Sequence, residues 1–463
     1  MSRYRIEKDF LGSVKVPADA YYGSETERAK ENFQITSQRV PWEFIRSYAV
    51  IKRCAALANV ALGKLDAKKG KAIVKACDEI IKGKFADQFV VGVYQAGAGT
   101  SVNMNLNEVI ANRAIEILGG RKGNYKVVHP NDHVNMSQST NDTYHATMHL
   151  AAYTAVRQGL VPALQKLEKA LSKKSKEFSE VIKTGRTHLQ DAVPITLGQE
   201  FSGYASSIDR QIENVTRASW SLLLLSLGGT AVGTGIEASQ KYSKLVIGEL
   251  DRYTGINFKL AKNFFGIQQN QNEEEWVSSS LRDAAVSLNK IANDMRLMAS
   301  GPYAGFSDIT LPSVQPGSSI MPGKVNPSVP EMLNMVCFEV IGNDTTVAHA
   351  VEGGQLELNV YMPIIAYNLL YSIEILSKAV DTFTAECVVG IKANVSRLAA
   401  DAEHDMSLAT ALAPYIGYAR AAKVARKAYK ESKTVRQAAL ELRIMPEKDL
   451  DKILNPKKMT KRK

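Results

Sequence analysis

The amino-acid sequence predicts a mainly α-helical fold with a long helical bundle at its centre. In three separate segments, apolar residues recur at alternating steps of three and four, which places them on one face of a helix. Stripes of this kind pack together in near-parallel bundles. The chain has 463 residues, enough to bury a large core and too many for one small domain.

The three apolar stripes lie between residues 160 and 383. Each is interpreted as the core-facing side of one long helix. The stripes are formed by Leu160, Leu164, Leu167 and Leu171, by Leu281, Leu288, Ile291, Met295 and Met298, and by Leu369, Ile373, Leu376, Val380 and Phe383.

Glycine and proline mark the breaks between helices. Gly228-Gly229 is predicted to end one helix and Ser300-Gly301-Pro302 another. Residues 301–327 contain five Pro and four Gly and are predicted to form a long loop, which in a compact domain is usually functional or disordered. Thr434, with Gln437 three residues later, predicts a capping box at the start of a short helix.

Composition narrows the class of protein. No apolar run reaches the roughly 18–20 residues that span a bilayer, and the N-terminal residues contain no signal-peptide core. The four cysteines are scattered without a CxxC pair, which predicts reduced thiols and a cytoplasmic protein. The net charge of +11 is compatible with an anionic small-molecule substrate. No RNP, zinc-finger or basic-zipper pattern supports nucleic-acid binding as the main function.

Three polar, glycine-marked regions are poor in helical periodicity and rich in neutral hydrogen-bond donors. They are Gly97–Asn105, the paired segments Ser137–Asp142 and Gly185–Asp191, and Gly317–Pro327. Hydroxyls, amides and one Lys could hold two carboxylates without a matching excess of buried charge. Alternatively, each region is a loop whose side chains bind their own backbone. A P-loop is excluded, because five residues separate Gly317 from Gly323 and Val325 follows Lys324.

Two pairs of histidines have the four-residue spacing of helical metal ligands. They are His129 with His133 and His145 with His149. No Cys or third His follows nearby in the sequence, and the first pair flanks Pro130. The sequence therefore predicts no metal site, and it contains neither a GxSxG nor an HExxH motif.

The segment Gly317-Ser-Ser-Ile-Met-Pro-Gly-Lys-Val-Asn-Pro327 resembles the signature loop of the aspartase/fumarase superfamily. The other polar regions resemble the remaining substrate-binding stretches of that superfamily, in the same order, and the resemblance runs from Asp19-Ala-Tyr-Tyr-Gly23 to Ile416-Gly417-Tyr418. It implies a three-domain, mainly helical subunit. The implied domains are an N-terminal domain (1–138), a central helical bundle with the signature loop 317–327 (139–392) and a small C-terminal domain (393–463). It also implies a homotetramer with a twenty-helix core, in which each active site draws on three subunits.

The resemblance assigns a role to each site residue. Ser318 would be the general base that removes a proton from the carbon beside a carboxylate. Lys324 would stabilise the resulting oxyanion, and His188 would contact the other end of the substrate. The remaining residues of the implied site are substrate-binding: Thr100, Ser101, Ser139, Thr140, Asn141, Thr187, Met321, Asn326 and Glu331. Glu331 is also the implied partner of His188.

The implied activity is a lyase reaction on a four-carbon dicarboxylate, without a cofactor or metal. Residues 330–338, 341–347 and 354–359 resemble aspartase more than fumarase, which favours elimination of ammonia from L-aspartate. Gly323 and His188 are more typical of fumarases. Fumarate hydratase, or a related lyase acting on another amino or hydroxy dicarboxylate, is therefore the alternative. A non-catalytic helical scaffold and a nucleic-acid binder are the alternatives from other classes.

Two positions and one segment, Asn263–Glu275, depart from the superfamily pattern. Where an aromatic residue is commonly followed by Pro-Thr, this sequence has Tyr144-His145-Ala146. Tyr303 stands where an Arg is usual after Ser300-Gly301-Pro302. These departures predict altered positioning of the neighbouring segments or a different amine or acid substrate.

Overall fold

A computed structural model of the chain describes residues 4–461 and is mainly helical, which confirms the predicted fold class. The α-helices of the described residues are α1 Ser24–Asn32, α2 Trp42–Ala61, α3 Ala67–Ile81, α4 Thr100–Ile117, α5 Thr140–Ala155, α6 Val161–Glu177, α7 Leu197–Ser219, α8 Gln240–Thr254, α9 Phe264–Gln269, α10 Asn272–Met298, α11 Ser328–Glu352, α12 Met362–Glu386, α13 Val395–His404, α14 Ala413–Ile416, α15 Tyr418–Lys430, α16 Val435–Glu441, α17 Glu447–Ile453 and α18 Pro456–Met459.

The strands are short and pair only two at a time within the described residues. They are β1 Tyr4–Asp9, β2 Gly12–Pro17, β3 Ile182–Thr187, β4 Gln190–Thr196, β5 Leu224–Leu225, β6 Lys259–Leu260, β7 Ile309–Thr310 and β8 Lys392–Ala393. The pairs β1–β2, β3–β4 and β7–β8 are antiparallel, and β5–β6 is parallel. None of the described helices combines the length and apolar character needed to cross a lipid bilayer.

The chain folds into two compact units. Unit 1 comprises Met1–Val161, Glu213–Asp283 and Glu339–Leu376, and unit 2 comprises Pro162–Ile212, Ala284–Phe338 and Ser377–Lys463. The three-domain division implied by the sequence resemblance stays a prediction.

The three apolar stripes form helices, as the sequence predicts. Their residues lie in or directly before α6, in α10 and in α12, and every one of them is at most 5% exposed. Residues 301–327 connect α10 to α11 without a helix, which confirms the predicted long loop. The predicted capping box at Thr434 and Gln437 is present at the start of α16.

The prediction that Gly228-Gly229 ends a helix is wrong. The preceding helix, α7, ends at Ser219, and a 3₁₀ turn and the strand β5 follow it. The glycines instead form a tight turn around a buried carboxylate, because the amides of Gly228 and Thr230 donate to Asp142 Oδ2 at 2.9 and 3.1 Å. Gly228 has φ +91°, a conformation that glycine adopts without strain.

Two of the polar regions are more helical than their lack of periodicity indicates. Thr100–Asn105 forms the first turns of α4, and Thr140 opens α5. Both helices are buried on nearly every face. A helix buried all round has no polar stripe opposite an apolar one, so the 3.6-residue period is absent from its sequence.

A buried polar network lies between α2, α4 and α5 in unit 1. Lys52 Nζ donates to Asn103 Oδ1 and Asn135 Oδ1 at 2.7 and 2.8 Å. Tyr48 donates its hydroxyl to the same Asn103 oxygen and also hydrogen-bonds to Thr143. Lys52 is fully buried, and this burial lowers the pKa of its ammonium to about 7 although the charge of Asp142 opposes the shift.

We expect this lysine to make stability depend on pH. The folded-state pKa of Lys52 is about 7 and its ordinary value is 10.5, so the unfolded chain binds more protons between these values. The contribution of Lys52 to the unfolding free energy therefore rises with pH in this interval. Relative to Lys52→Met, wild type is expected to gain roughly 1 kcal/mol per pH unit between pH 7 and pH 9, measured by chemical denaturation.

Lys173→Met is the matched control, because it removes a lysine from an exposed helical position. Its difference from wild type is expected to stay constant over the same pH range. A constant difference for Lys52→Met as well would contradict the account of the buried ammonium.

Candidate active site

The hydroxyl oxygen of Ser318 accepts hydrogen bonds from two backbone amides. Ser318 Oγ accepts hydrogen bonds from the amides of Met321 and Ile320 at 2.9 and 3.2 Å. Both amides belong to the signature loop, so the loop's own turn supplies the donors. Two N–H groups directed at one oxygen favour negative charge on that oxygen.

The two ends of the signature loop are joined by hydrogen bonds at Gly317. Its amide donates to Lys324 O at 2.8 Å, and Asn326 Nδ2 donates to Gly317 O at 2.7 Å. A Cβ on Gly317 would lie 2.6 Å from Lys324 O, so only glycine fits this crossing. The side chains of Met321 and Lys324 are exposed at the surface of the loop.

Thr187 and His188 lie at the tip of the β3–β4 hairpin in unit 2. Thr187 pairs with Gln190, leaving His188 and Leu189 as a two-residue turn with φ values of +56° and +60°. Two positive φ values are typical of a type I′ turn, which usually contains Asn or Gly. All four tip residues are exposed. The backbone is thus strained where it presents the imidazole, as is common at functional sites.

A buried carboxylate ties this hairpin to the start of the long loop. Asp308, fully buried, accepts from Arg186 at 2.7 and 3.3 Å and forms an ion pair with Lys183 Nζ at 3.0 Å. Lys183 also pairs with Glu200 at 2.6 Å, and the Arg186 guanidinium stacks 4.3 Å from the ring centroid of Phe306. These contacts fix the segment ten residues before Ser318 against the base of the strand that carries Thr187.

Glu331 occupies the first turn of α11, directly after the signature loop. Its carboxylate lies 3.8 Å from the Arg296 guanidinium. Among the described residues, no hydrogen bond joins Glu331 to His188, so the implied pairing of these two residues stays a prediction. A carboxylate in the first turn is also favoured by the helix dipole.

In unit 1, Thr100 and Ser101 begin α4 after a tight glycine turn. Ala98 and Gly99 have φ values of +58° and +83°, and the Val102 amide in the first turn donates to Gln95 Oε1 at 3.1 Å. Among the described residues, no side chain caps the amides of Thr100 and Ser101, which suit a negatively charged ligand. A Cβ on Gly99 would lie 2.1 Å from the Tyr144 ring, so the turn is packed directly against α5.

Ser139, Thr140 and Asn141 form the start of α5 in the same unit. The Ser139 hydroxyl accepts from the Asn141 amide at 3.2 Å, and Asp142 accepts from the Ser139 amide at 3.0 Å, which together make a capping box. Asn141 Nδ2 donates to Ala231 O at 2.7 Å. Thr140 is 8% exposed. The structure therefore gives part of this polar segment a capping role as well.

The candidate residues form two groups, one in each unit. Unit 1 brings the Thr100 turn against the helix that begins at Thr140, and unit 2 holds the signature loop and the Thr187–His188 hairpin. Sequence reasoning missed the buried ion cluster of Lys183, Arg186 and Asp308. Asp308 lies more than 100 positions after Lys183 and Arg186 in the sequence, so no local pattern indicates the cluster.

Family models and similar proteins of known sequence or structure all indicate the same group of lyases. A family model described as lyase matches residues 12–342, and one described as the fumarase C C-terminus matches residues 408–461. An aspartate ammonia-lyase of Bacillus sp is 49% identical, covering 98% of this chain and 97% of the relative. A class II fumarate hydratase of Thermosynechococcus vestitus is 48% identical, covering 97% and 96%. A crystal structure of a fumarate lyase:delta crystallin from Brucella melitensis bound to cobalt is 47% identical, with a TM-score of 0.96 over 99% of this chain and 100% of that one.

The glycine turn before Thr100 yields a test with a matched control. Gly99→Ala adds a Cβ that meets the Tyr144 ring at 2.1 Å, on a backbone with φ +83°. Gly119→Ala has nearly the same φ, +82°, but no atom within 4 Å of its added Cβ. We expect Gly119→Ala to lose about 1 kcal/mol of unfolding free energy from backbone strain alone, and Gly99→Ala about 2–4 kcal/mol. Equal losses would show that Tyr144 does not restrict this turn.

Proposed function

We propose, since this chain belongs to the aspartase/fumarase superfamily of lyases, that it catalyses the reversible elimination of ammonia from L-aspartate to give fumarate. The observation that carries the proposal is the pair of backbone N–H groups on Ser318 Oγ. Without such donors a serine hydroxyl is too weakly acidic to act as a base through its alkoxide.

In the first step, the Ser318 alkoxide removes a proton from the substrate carbon beside one carboxylate. The electron pair of the broken C–H bond moves into that carboxylate and gives an enediolate-like dianion. Lys324 contributes positive charge to this dianion from the exposed part of the same loop. Asn326 uses one N–H to hold Gly317 O, which leaves its second N–H for the substrate.

In the second step, the dianion expels the substrate's protonated amino group, the ammonium. The electron pair returns to form the carbon–carbon double bond, the C–N bond breaks, and ammonia leaves. The carboxylate itself is the electron sink, so the proposed steps draw only on the chain's own residues and the substrate.

The opposite end of the substrate is bound by neutral donors. The start of α4, with the amides of Thr100 and Ser101, is suited to a carboxylate because helix N-termini attract anions. Thr140 and Asn141 supply further polar atoms from the start of α5. His188 is presented by the strained hairpin tip, and Thr187 beside it binds the oxyanion with Lys324 and Asn326. We propose that these segments meet in one site when subunits assemble.

We propose that the chain assembles into a homotetramer, which completes this site. Two long helices leave large apolar side chains 38–63% exposed. These side chains are Trp276, Val286 and Leu297 on α10 and Met335 and Phe338 on α11. The α10 residues recur at steps of ten and eleven, close to three helical turns, so they share one face. Exposed apolar surface of this kind is typical of a subunit interface.

Aspartate is the preferred substrate of the proposal, and malate is the alternative. Residues 330–338, 341–347 and 354–359 favour aspartase, whereas the 48% identical class II fumarate hydratase keeps the alternative open. Purified protein is expected to form fumarate from L-aspartate at least about tenfold faster than from L-malate, since a pocket that pairs with one polar group discriminates strongly against another. Fumarate is followed by its ultraviolet absorbance. Fumarate formed from malate alone would assign the chain to the hydratases instead.

Ser318 and its neighbour provide a matched pair of variants for the base. Ser318→Ala removes the hydroxyl that accepts the two amide hydrogen bonds, and turnover on aspartate is expected to fall by about 10³-fold or more. Ser319→Ala changes the adjacent exposed serine of the same loop and is expected to retain turnover within about threefold. Equal turnover of both variants would contradict the role of Ser318. Wild type inert on every dicarboxylate would favour the non-catalytic scaffold.

A further inference from the structure

Three ionisable side chains meet in the fully buried interior of unit 1. His145 and His149 lie one helical turn apart on α5, and Glu274 lies in the first turn of α10. All three are 0% exposed. One potential ligand atom from each residue can be chosen so that all three atoms lie within 4.8 Å of one another.

The polar atoms of this cluster are not satisfied by ordinary hydrogen bonds. Both ring nitrogens of His145 and both carboxylate oxygens of Glu274 lack a hydrogen-bond partner among the described residues. His149 Nε2 approaches Glu274 Oε1 to 3.1 Å without hydrogen-bond geometry, and His145 Nε2 lies 3.8 Å from the same oxygen. A buried polar group without a partner costs about 1–3 kcal/mol. Several such groups in one cluster therefore indicate a binding site for an ion.

The tautomer of His149 fits the role of a ligand. Its Nδ1 lies 3.0 Å from the carbonyl oxygen of Leu222, which can only accept a hydrogen bond. Nδ1 therefore carries the hydrogen, and in the neutral ring Nε2 presents a lone pair toward Glu274. Histidine ligands of metals are commonly held in this way, with the other ring nitrogen donating to a carbonyl.

We propose that His145, His149 and Glu274 bind one divalent transition-metal ion, with Zn²⁺ as the best match. Two imidazole nitrogens and one carboxylate oxygen are a ligand set typical of Zn²⁺, which binds nitrogen at about 2.0–2.1 Å and oxygen at about 2.0–2.2 Å. The ion would satisfy one lone pair on each residue and link α5 to α10. The half-buried Glu273 adds a second negative charge in the same helical turn.

The cluster is separate from the residues of the proposed reaction, and an ion bound there would stabilise α5. His145 is one helical turn and a half after Thr140, so the ion would hold the helix whose first turn carries the substrate-binding residues. None of the three ligands is exposed, so the ion would enter as the chain folds rather than exchange through the surface. His145 is also one of the two positions where the sequence departs from the superfamily pattern.

The test measures the metal content of full-length protein. Wild type is expressed with zinc in the medium and then dialysed against a chelator. It is expected to retain about one zinc ion per chain, measured by elemental mass spectrometry. His145→Ala is expected to retain at least about tenfold less under the same treatment. His349→Ala is the matched control, because His349 also pairs with a glutamate, Glu352, but both are exposed. It is expected to retain the wild-type content.

Two further measurements keep the proposal open to refutation if His145→Ala does not fold. Glu274→Gln keeps the size of the side chain and removes its charge, and it is expected to lose zinc as His145→Ala does. Wild type refolded with Co²⁺ is expected to show visible absorption bands of cobalt bound to nitrogen and oxygen. Zinc-free wild type that also gives no cobalt spectrum, or equal zinc in wild type and both variants, would overturn the proposal and leave the cluster as a protonated His149–Glu274 pair.

Discussion

The buried carboxylate of Asp308 is the constraint on which unit 2 depends. It is fully removed from solvent, and an unpaired charge in that position would be strongly destabilising, so Lys183 and Arg186 must both reach it. Both cations belong to β3. Their pairing therefore fixes the hairpin that ends in Thr187 and His188 against the segment that leads to the signature loop. The position of the Thr187–His188 hairpin against the segment around Asp308 follows from that one ion cluster.

The site proposed for this chain combines polar groups fixed by the backbone with an exposed loop. The strained turns at Ala98 and His188 and the capping box at Ser139 hold polar groups in place through the backbone. The two ends of the loop that carries Ser318 are joined by the hydrogen bonds at Gly317, and its centre is exposed. This division suits a base that must close on a bound substrate, because the anion-binding groups are positioned before the base arrives.

Periodicity predicted the helices that have one buried face, and it failed for those buried all round. The stripes of α6, α10 and α12 were predicted residue by residue, whereas the first turns of α4 and α5 were interpreted as irregular. The resemblance to the superfamily pointed to the signature loop. Neither approach could find Asp308 or Glu274, because their partners lie more than 100 residues away in the chain. For the same reason, the sequence predicted no metal site at His145 and His149.

The most direct test of the central claim is a crystal structure of the assembled protein with a non-reactive dicarboxylate, such as succinate, bound. The account predicts that Ser318 Oγ lies about 3–3.5 Å from a methylene carbon of the ligand, with Lys324 at the near carboxylate and the segments around Thr100, Thr140 and His188 around the far one. A ligand held by those segments while the Ser318 hydroxyl points into solvent, with the loop closed, would contradict it.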